Sequence, residues 1–362
     1  MAAASQVLTT PELIRFVCEY CSSRENYDNA LVSKTWSNEA LSVLWRDLES
    51  LDPLLKLLAP LKVVEDDHYA FKRHIRASDW ETFQKYSWRV HSLRDHFDPG
   101  FGFSTFLDIA MSSRPSTALL PNLRQLSYHD DEPSFRFIPL LIPTSLNYLQ
   151  LHLMHDDTDK QPITSRDTLV YLPKKAMKLE HLVLTVWTAV KAETADKLQL
   201  NVVLPALPEL KLVEISPCLL TPSCLRALAR LHGLQSLTIP RIEDRTQPSL
   251  NVIRSPDSFS CLRVLSIHSN PFRDVTLFLS SYKPRALRSI SVSSYETEGV
   301  DSFTRLLDVI ALAYPTVEDI SLTSAEQTSA ISSDRSFSVL RQSDVPETAP
   351  HPAFVSECQD RH

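Results

Sequence analysis

The stretch Leu262-Arg263-Val264-Leu265-Ser266-Ile267 decides the fold, because its spacing, Leu-x-x-Leu-x-Ile, returns along the chain. The same step occurs at Leu123/Leu126/Tyr128, Leu146/Leu149/Leu151, Leu179/Leu182/Leu184, Leu210/Val213/Ile215, Leu234/Leu237/Ile239, Leu287/Ile290/Val292 and Val317/Ile320/Leu322. Alternation at the last two positions puts both side chains on one face of a short strand, and the first Leu tucks in from the preceding turn. One copy would say little, since any half-buried strand can show it. Eight copies, their first positions 23, 33, 31, 24, 28, 25 and 30 residues apart, point instead to one structural unit repeated in one direction.

Those separations lie inside or just outside the roughly 20 to 29 residues expected of leucine-rich repeats; an ordinary α/β domain is the competing fold. The segments between the strands carry helix punctuation. Thr221-Pro222 reads as an N-cap and first helical residue, Leu225, Leu228 and Leu231 form an apolar stripe, and Gly233 closes the helix. Asn270-Pro271 opens a second helix with Phe272, Val275, Phe278 and Leu279, and Asp301 a third with Phe303, Leu306, Leu307 and Ile310. A strand-helix unit of this size cannot bury both faces alone. Neighbours must stack, which predicts an α/β fold whose main part is a curved leucine-rich-repeat solenoid with parallel strands on the concave side. Val90 and Leu93 fit a divergent ninth strand capping the N-terminal end. The Asn that often follows such strands occurs once, at Asn270, so no Asn ladder braces the turns.

Composition narrows the function. Gly is 4 of 362 residues, and no Gly-rich phosphate loop is present. With 37 basic and 44 acidic residues the net charge is −7, the wrong sign for a nucleic-acid binder. Six cysteines, at 18, 21, 218, 224, 261 and 358, form no paired framework, which fits a reducing compartment. Residues 1–10 lack the basic start and apolar run of a signal peptide, and no stretch approaches the ~18 apolar residues of a membrane span. An intracellular protein of cytoplasm or nucleus, away from the membrane, is expected.

At the N-terminus, Thr10-Pro11 starts a short helix through Val17, residues 22–26 break it, and Tyr27 to Trp36 and Ser37 to Trp45 give two more helical patterns. Three helices in about 45 residues bury too little to stand alone, so apolar surface is left for a partner. Leu8, Pro11-Glu12-Leu13-Ile14, Phe16-Val17, Ala30-Leu31-Val32-Ser33-Lys34, Trp36 and Leu44-Trp45 resemble an F-box, Val-Ser-Lys-x-Trp followed by Leu-Trp being the most specific part. Two departures from the usual pattern are visible: Thr9 and Thr10 separate Leu8 from Pro11, and the link from Tyr20 to Asn26 is polar. With Asp79-Trp80-Glu81-x-Phe83, Tyr86 and Leu120-Pro121-Asn122-Leu123-Arg124-x-Leu126, the similarity to fungal-type F-box proteins with irregular leucine-rich repeats covers most of residues 8–323.

The resemblance implies a substrate receptor of a Skp/cullin/F-box ubiquitin ligase. Leu8, Pro11, Leu13, Ile14, Phe16, Leu31, Val32, Trp36, Leu44 and Trp45 would bind the Skp-family adaptor, and through it a cullin-RING ligase, while the repeats hold a protein substrate. No catalysis and no cofactor are implied. The alternative is a non-ligase interaction scaffold with a degenerate box, the helices serving only as a cap on the solenoid. The expected organisation is an F-box over 5–49, a helical joining segment over 50–118, the repeat array over 119–324, and a disordered, Ser/Thr/Asp/Pro-rich tail over 325–362. In the joining segment, Pro53 to Leu58 reads as a turn or helix and Ser78 with Glu81 as a capping box. In the tail, Phe337, Val339 and Leu340 are too few to cover the last repeat, which predicts an open, frayed edge.

Candidate chemistry is sparse. Cys18-x-x-Cys21 has redox or metal spacing but lacks a preceding strand and a second cysteine pair, so two small apolar residues one helical turn apart is the plainer reading. His129-Asp130-Asp131-Glu132 and His155-Asp156-Asp157-x-Asp159 follow neighbouring strands and read as solvated loops, with an acidic patch for a basic partner as the second reading. Gly-x-Ser-x-Gly and His-Glu-x-x-His are absent.

Overall fold

Each copy of the repeated step becomes a tight turn followed by a strand. The computed structural model describes residues 9–64, 69–95, 103–112, 118–130, 138–153, 164–186, 192–240, 258–268, 270–324 and 337–338. In chain order the chain forms α1 (Pro11–Glu19), α2 (Ser23–Asn29), α3 (Lys34–Leu44), β1 (Asp47–Leu48), α4 (Asp52–Leu58), β2 (Leu61–Val63), β3 (Tyr69–Phe71), α5 (Ala77–Ser87), β4 (Ser92–Asp95) and α6 (Phe103–Met111). The repeated part follows as β5 (Gln125–Asp130), α7 (Ile138–Leu141), β6 (Tyr148–Leu153), α8 (Thr164–Lys175), β7 (His181–Val186), α9 (Ala192–Lys197), α10 (Leu200–Val203), β8 (Leu212–Ile215), α11 (Pro222–Ala229), β9 (Ser236–Ile239), β10 (Val264–His268), α12 (Phe272–Tyr282), β11 (Ser289–Ser294), α13 (Val300–Ala313), β12 (Asp319–Ser324) and β13 (Phe337–Ser338).

One sheet runs β1-β4-β5-β6-β7-β8-β9-β10-β11-β12-β13, in chain order and parallel up to β12. The result is a solenoid-like α/β array in which each strand from β5 on meets only its sequence neighbours, while β1 pairs with β4 and the intervening β2 and β3 make a separate antiparallel pair. A shared carbonyl sets the register. The residue just after the first Leu of each step offers its C=O to two consecutive N–H groups of the next repeat. Arg124 thus accepts from Asn147 (2.9 Å) and Tyr148 (3.0 Å), Asn147 from Glu180 and His181, and Arg263 from Arg288 and Ser289. The turn before it closes through an i→i−3 bond from the first Leu, as in Leu123 N to Leu120 O (3.2 Å) and Leu262 N to Phe259 O (3.1 Å). Side chains do the bracing that an Asn ladder would have done. Asn122 Nδ2 donates to Trp88 O (2.7 Å), Ser145 Oγ to Leu123 O (2.8 Å) and Thr316 Oγ1 to Leu287 O (2.8 Å), each reaching back into the preceding repeat.

Alternation then sorts the side chains. Leu93, Leu126, Leu149, Leu182, Leu237 and Leu265 are fully buried against the helices, as are Leu151, Leu184, Ile215, Ile239 and Ile267. The expected ninth strand is β4, with Val90 and Leu93 buried. The sheet starts earlier still, at β1, within residues 5–49, for which the sequence predicts three helices and no strand. At the far end Phe337–Ser338 pairs antiparallel with Leu322 and Ser321, so β12 is not an open edge over those residues, against expectation. Val317 and Ile320 are only partly buried, in keeping with a terminal repeat. The remainder of the expected disordered tail lies outside the described residues.

Thr221 accepts from Cys224 N (3.3 Å) at the start of α11, as its sequence announces. Gly233 acts differently from a left-handed cap: its φ is not positive, and a Cβ there would stand 3.2 Å from Leu210 O, so the close approach of two turns favours glycine. The second helix begins at Ser23, not Tyr27. Ser22 caps it, with Glu25 reaching back to Ser22 N (2.7 Å), so the residues expected to break the chain form an N-terminal cap. The cap of α5 likewise sits two positions upstream of Ser78/Glu81: Asp79 accepts from Arg76 N (2.7 Å) and is gripped by both Arg73 nitrogens at 2.6 and 3.0 Å. Arg73 holds the Asp79 carboxyl below its ordinary range, helped by the Arg76 N–H. A carboxyl depressed in the folded state contributes stability above its unfolded pKa and loses it as pH falls through the folded one. Asp79→Asn is therefore expected to cost about 1 kcal/mol at neutral pH and progressively less in acid, read from melts across pH.

Candidate interaction surfaces

The N-terminal helices pack around a small core of their own. Ile14 and Cys18, one turn apart on α1, meet Ala40 on α3, with Ala30, Trp36 and Val43 against them. Arg15 reaches across to the buried Glu39 (2.7 Å). Asn26 Nδ2 donates to Cys18 O (2.8 Å) and Cys21 O (3.3 Å), closing the end of α1. Burial first, then Cys21 and Glu39, push the Cys18 thiol up, which suits packing and not redox chemistry. The unit is fastened to the array through Arg89, which donates to Asn38 O (2.8 Å), Asn38 Oδ1 (2.7 Å) and Ser42 Oγ and stacks over Trp88.

That packing divides the residues expected to form one docking face. Ile14 is 1 % exposed and lies in the core, so it supports a face from within instead of forming it. Trp36 is partly buried in the same core. Trp45 turns the other way, against Tyr86 of α5 (ring centroids 4.7 Å), and joins the core of the array; Leu44 is partly buried at the end of α3. Leu8 lies outside the described residues. Pro11, Leu13, Phe16, Leu31 and Val32 are exposed, Phe16 at 58 %, Leu31 at 72 % and Val32 at 65 %. Sequence reasoning missed Tyr20 as a member. Leu13, Phe16, Val17 and Tyr20 are all exposed, at i, i+3, i+4 and i+7, so α1 carries a second apolar stripe beside the one it buries. Phe16 and Tyr20 touch edge to face at 5.0 Å. The spacing alone would have revealed the stripe, though not which of the two stripes is covered.

A second surface is the face of the sheet turned away from the helices. Two of its rows are Gln125–Tyr148–His181–Leu212–Ser236–Val264–Ser289 and Ser127–Gln150–Val183–Glu214–Thr238–Ser266–Ser291. A third includes His129, His152 and Thr185. Tyr148 donates to Gln150 Oε1 (2.8 Å), and Gln150 Nε2 lies 2.7 Å from His152 Nε2. An amide nitrogen can only donate, so His152 Nε2 accepts and its Nδ1–H points to Thr185 Oγ1. The His129 and His152 rings, on β5 and β6, lie edge to face with centroids 3.6 Å apart. Of the two acidic histidine motifs only His129 and Asp130 are described; Asp131, Glu132 and the whole of His155 to Asp159 lie outside the described residues. Burial lowers the pKa of His181 and of His268, whose Nδ1 sits 3.0 Å from Ser293 Oγ.

Among the described residues, no group of three or more His, Cys, Asp or Glu is placed to hold a metal ion, and no helix is long and apolar enough to cross a membrane. Burial pushes the Cys224 thiol up to about 12, leaving it an unreactive packing residue. No family model matches the chain, and no curated protein matches it. The functional reading therefore rests on the two surfaces.

Proposed function

We propose that the chain is the substrate-recognition subunit of a Skp/cullin/F-box ubiquitin ligase, its N-terminal helices docking on a Skp-family adaptor and its leucine-rich repeats holding a protein target. The observation that carries this reading is the exposed stripe Leu13, Phe16, Val17 and Tyr20 on a helix whose opposite side is already packed. A soluble helix has little reason to keep two apolar stripes unless a partner covers one. The chain would do no chemistry itself. Holding a target beside the ubiquitin-charged enzyme makes transfer to a target lysine effectively intramolecular, and fastening by Arg89 would keep the two binding surfaces at a fixed separation.

Co-purification with adaptor and cullin tests it. Phe16→Asp and Val32→Asp leave the buried Ile14, Cys18 and Ala40 intact, so the fold is expected to survive. Burying a Phe-sized side chain is worth ~1.5–3 kcal/mol, so Phe16→Asp is expected to weaken adaptor binding at least about tenfold, and the double variant to abolish capture. Undiminished capture by the double variant would remove the docking face. A wild-type chain that brings down neither adaptor nor cullin would leave the interaction scaffold, a reading favoured by the polar, self-capped link Tyr20 to Asn26.

A further inference from the structure

On the helix-free face of the sheet, charge is scarce. Between Arg94 on β4 and Asp319 on β12, the two strand rows in register hold one formally charged side chain among the described residues, Glu214 on β8. Arg94 stands four strands away in the same row, about 19 Å at ~4.8 Å per strand, and makes no ion pair with it. Glu214 is only partly exposed, and among the described residues its carboxylate has neither an ion pair nor a hydrogen bond. A half-buried, unpaired anion is costly unless something supplies the opposite charge.

Its surroundings are shaped for that supply. Val183, its direct partner on β7, is 4 % exposed although it does not belong to the core under the helices, so the open face is recessed there. Tyr148 and His181 pack edge to face at 4.7 Å beside this recess, and Tyr148 lies close enough to feel the Glu214 charge. An apolar floor, an aromatic wall and one carboxylate are complementary to a side chain with an aliphatic stem and a cationic head.

We propose that this recess takes a lysine or arginine side chain of the target segment, with the stem over Val183, the Tyr148/His181 pair beside it and the charged head on Glu214. The inference rests on the reading of the repeats as the target-holding surface and names the chemistry that surface selects.

The full chain is titrated with N-acetyl-arginine amide, N-acetyl-lysine amide, N-acetyl-glutamine amide and N-acetyl-glutamate amide while histidine ring protons are followed by NMR, the His181 signal being assigned by its loss in His181→Gln. A saturable His181 shift is expected with a basic amide, at a half-saturation weaker than about 1 mM for a single partly exposed ion pair, and none with the other two. Glu214→Gln is expected to weaken it at least fivefold. Thr238→Lys, which places an ammonium on the strand directly beside Glu214, is expected to occupy the carboxylate and abolish the response. If Thr238→Lys does not fold, Glu214→Gln decides. Equal shifts with the glutamine amide, preference for the glutamate amide, or an unchanged half-saturation in Glu214→Gln would each overturn the proposal. Adaptor capture is scored on the same preparation. A basic-selective titration without adaptor keeps this site and removes the ligase reading, whereas adaptor capture with a flat titration does the reverse.

Discussion

Leu265→Ala is expected to destabilise the array by about 2–5 kcal/mol, while Ser266→Ala, one residue on, changes stability by less than ~0.5 kcal/mol. Leu265 is fully buried between Leu237 and Ile290 in one inward row, so its truncation loses transfer energy and leaves a cavity that two fixed strands cannot close. Ser266 lies on the other face between Thr238 and Ser291 and is partly exposed. Because each repeat meets only its neighbours, the damage is expected to spread to the flanking repeats and fade beyond them. Hydrogen exchange resolved along the chain, together with thermal melts, checks this. Equal destabilisation by the two substitutions would mean that the strand register is wrong.

Ile14→Ala is expected to cost a similar ~2–5 kcal/mol, but confined to the N-terminal helices. Among the described residues their apolar core has only Ile14, Cys18 and Ala40 fully buried, with three further side chains against it, so a cavity there removes much of what holds them. Such a small unit has little reserve. The expected result is loss of exchange protection over α1 to α3 with the sheet from β5 onward unchanged, and loss of adaptor capture as a consequence of unfolding. Phe16→Asp is expected to lose capture with protection retained. Exchange separates the two causes, which a binding assay alone would confuse. Retained protection over α1 to α3 in Ile14→Ala would show that the core is drawn in the wrong place.

The contrast between Ile14 and Phe16 shows how far the sequence reaches. Both residues stand in the short run Pro11 to Val17, and both are apolar with helical spacing to other apolar residues. What separates them is Ala40, 26 positions later, which covers one and not the other. Trp45 is a similar case: its neighbours in sequence say helix end, but Tyr86 draws it to the joining segment. Local signals were legible where the chemistry is local. Thr221-Pro222 and the Ser22/Glu25 box concern backbone groups within three residues, and the second is easily mistaken for a break because a capping run and a chain break are both polar. Asp79 was harder, since its role depends on Arg73 as much as on the helix it starts.

The sequence alone determined the repeat, its order and its inward rows. Strand alternation and the turn before each strand are set by residues a few positions apart, and parallel stacking is the way such units bury their apolar sides. Tertiary structure alone decided which stripe of α1 stays open, that β1 already belongs to the sheet, and that Glu214 stands apart from every other fixed charge in its row. Those facts depend on contacts far apart in the chain, such as Arg89 with Asn38 at a separation of 51. No spacing rule encodes such contacts, because the register of whole elements fixes them.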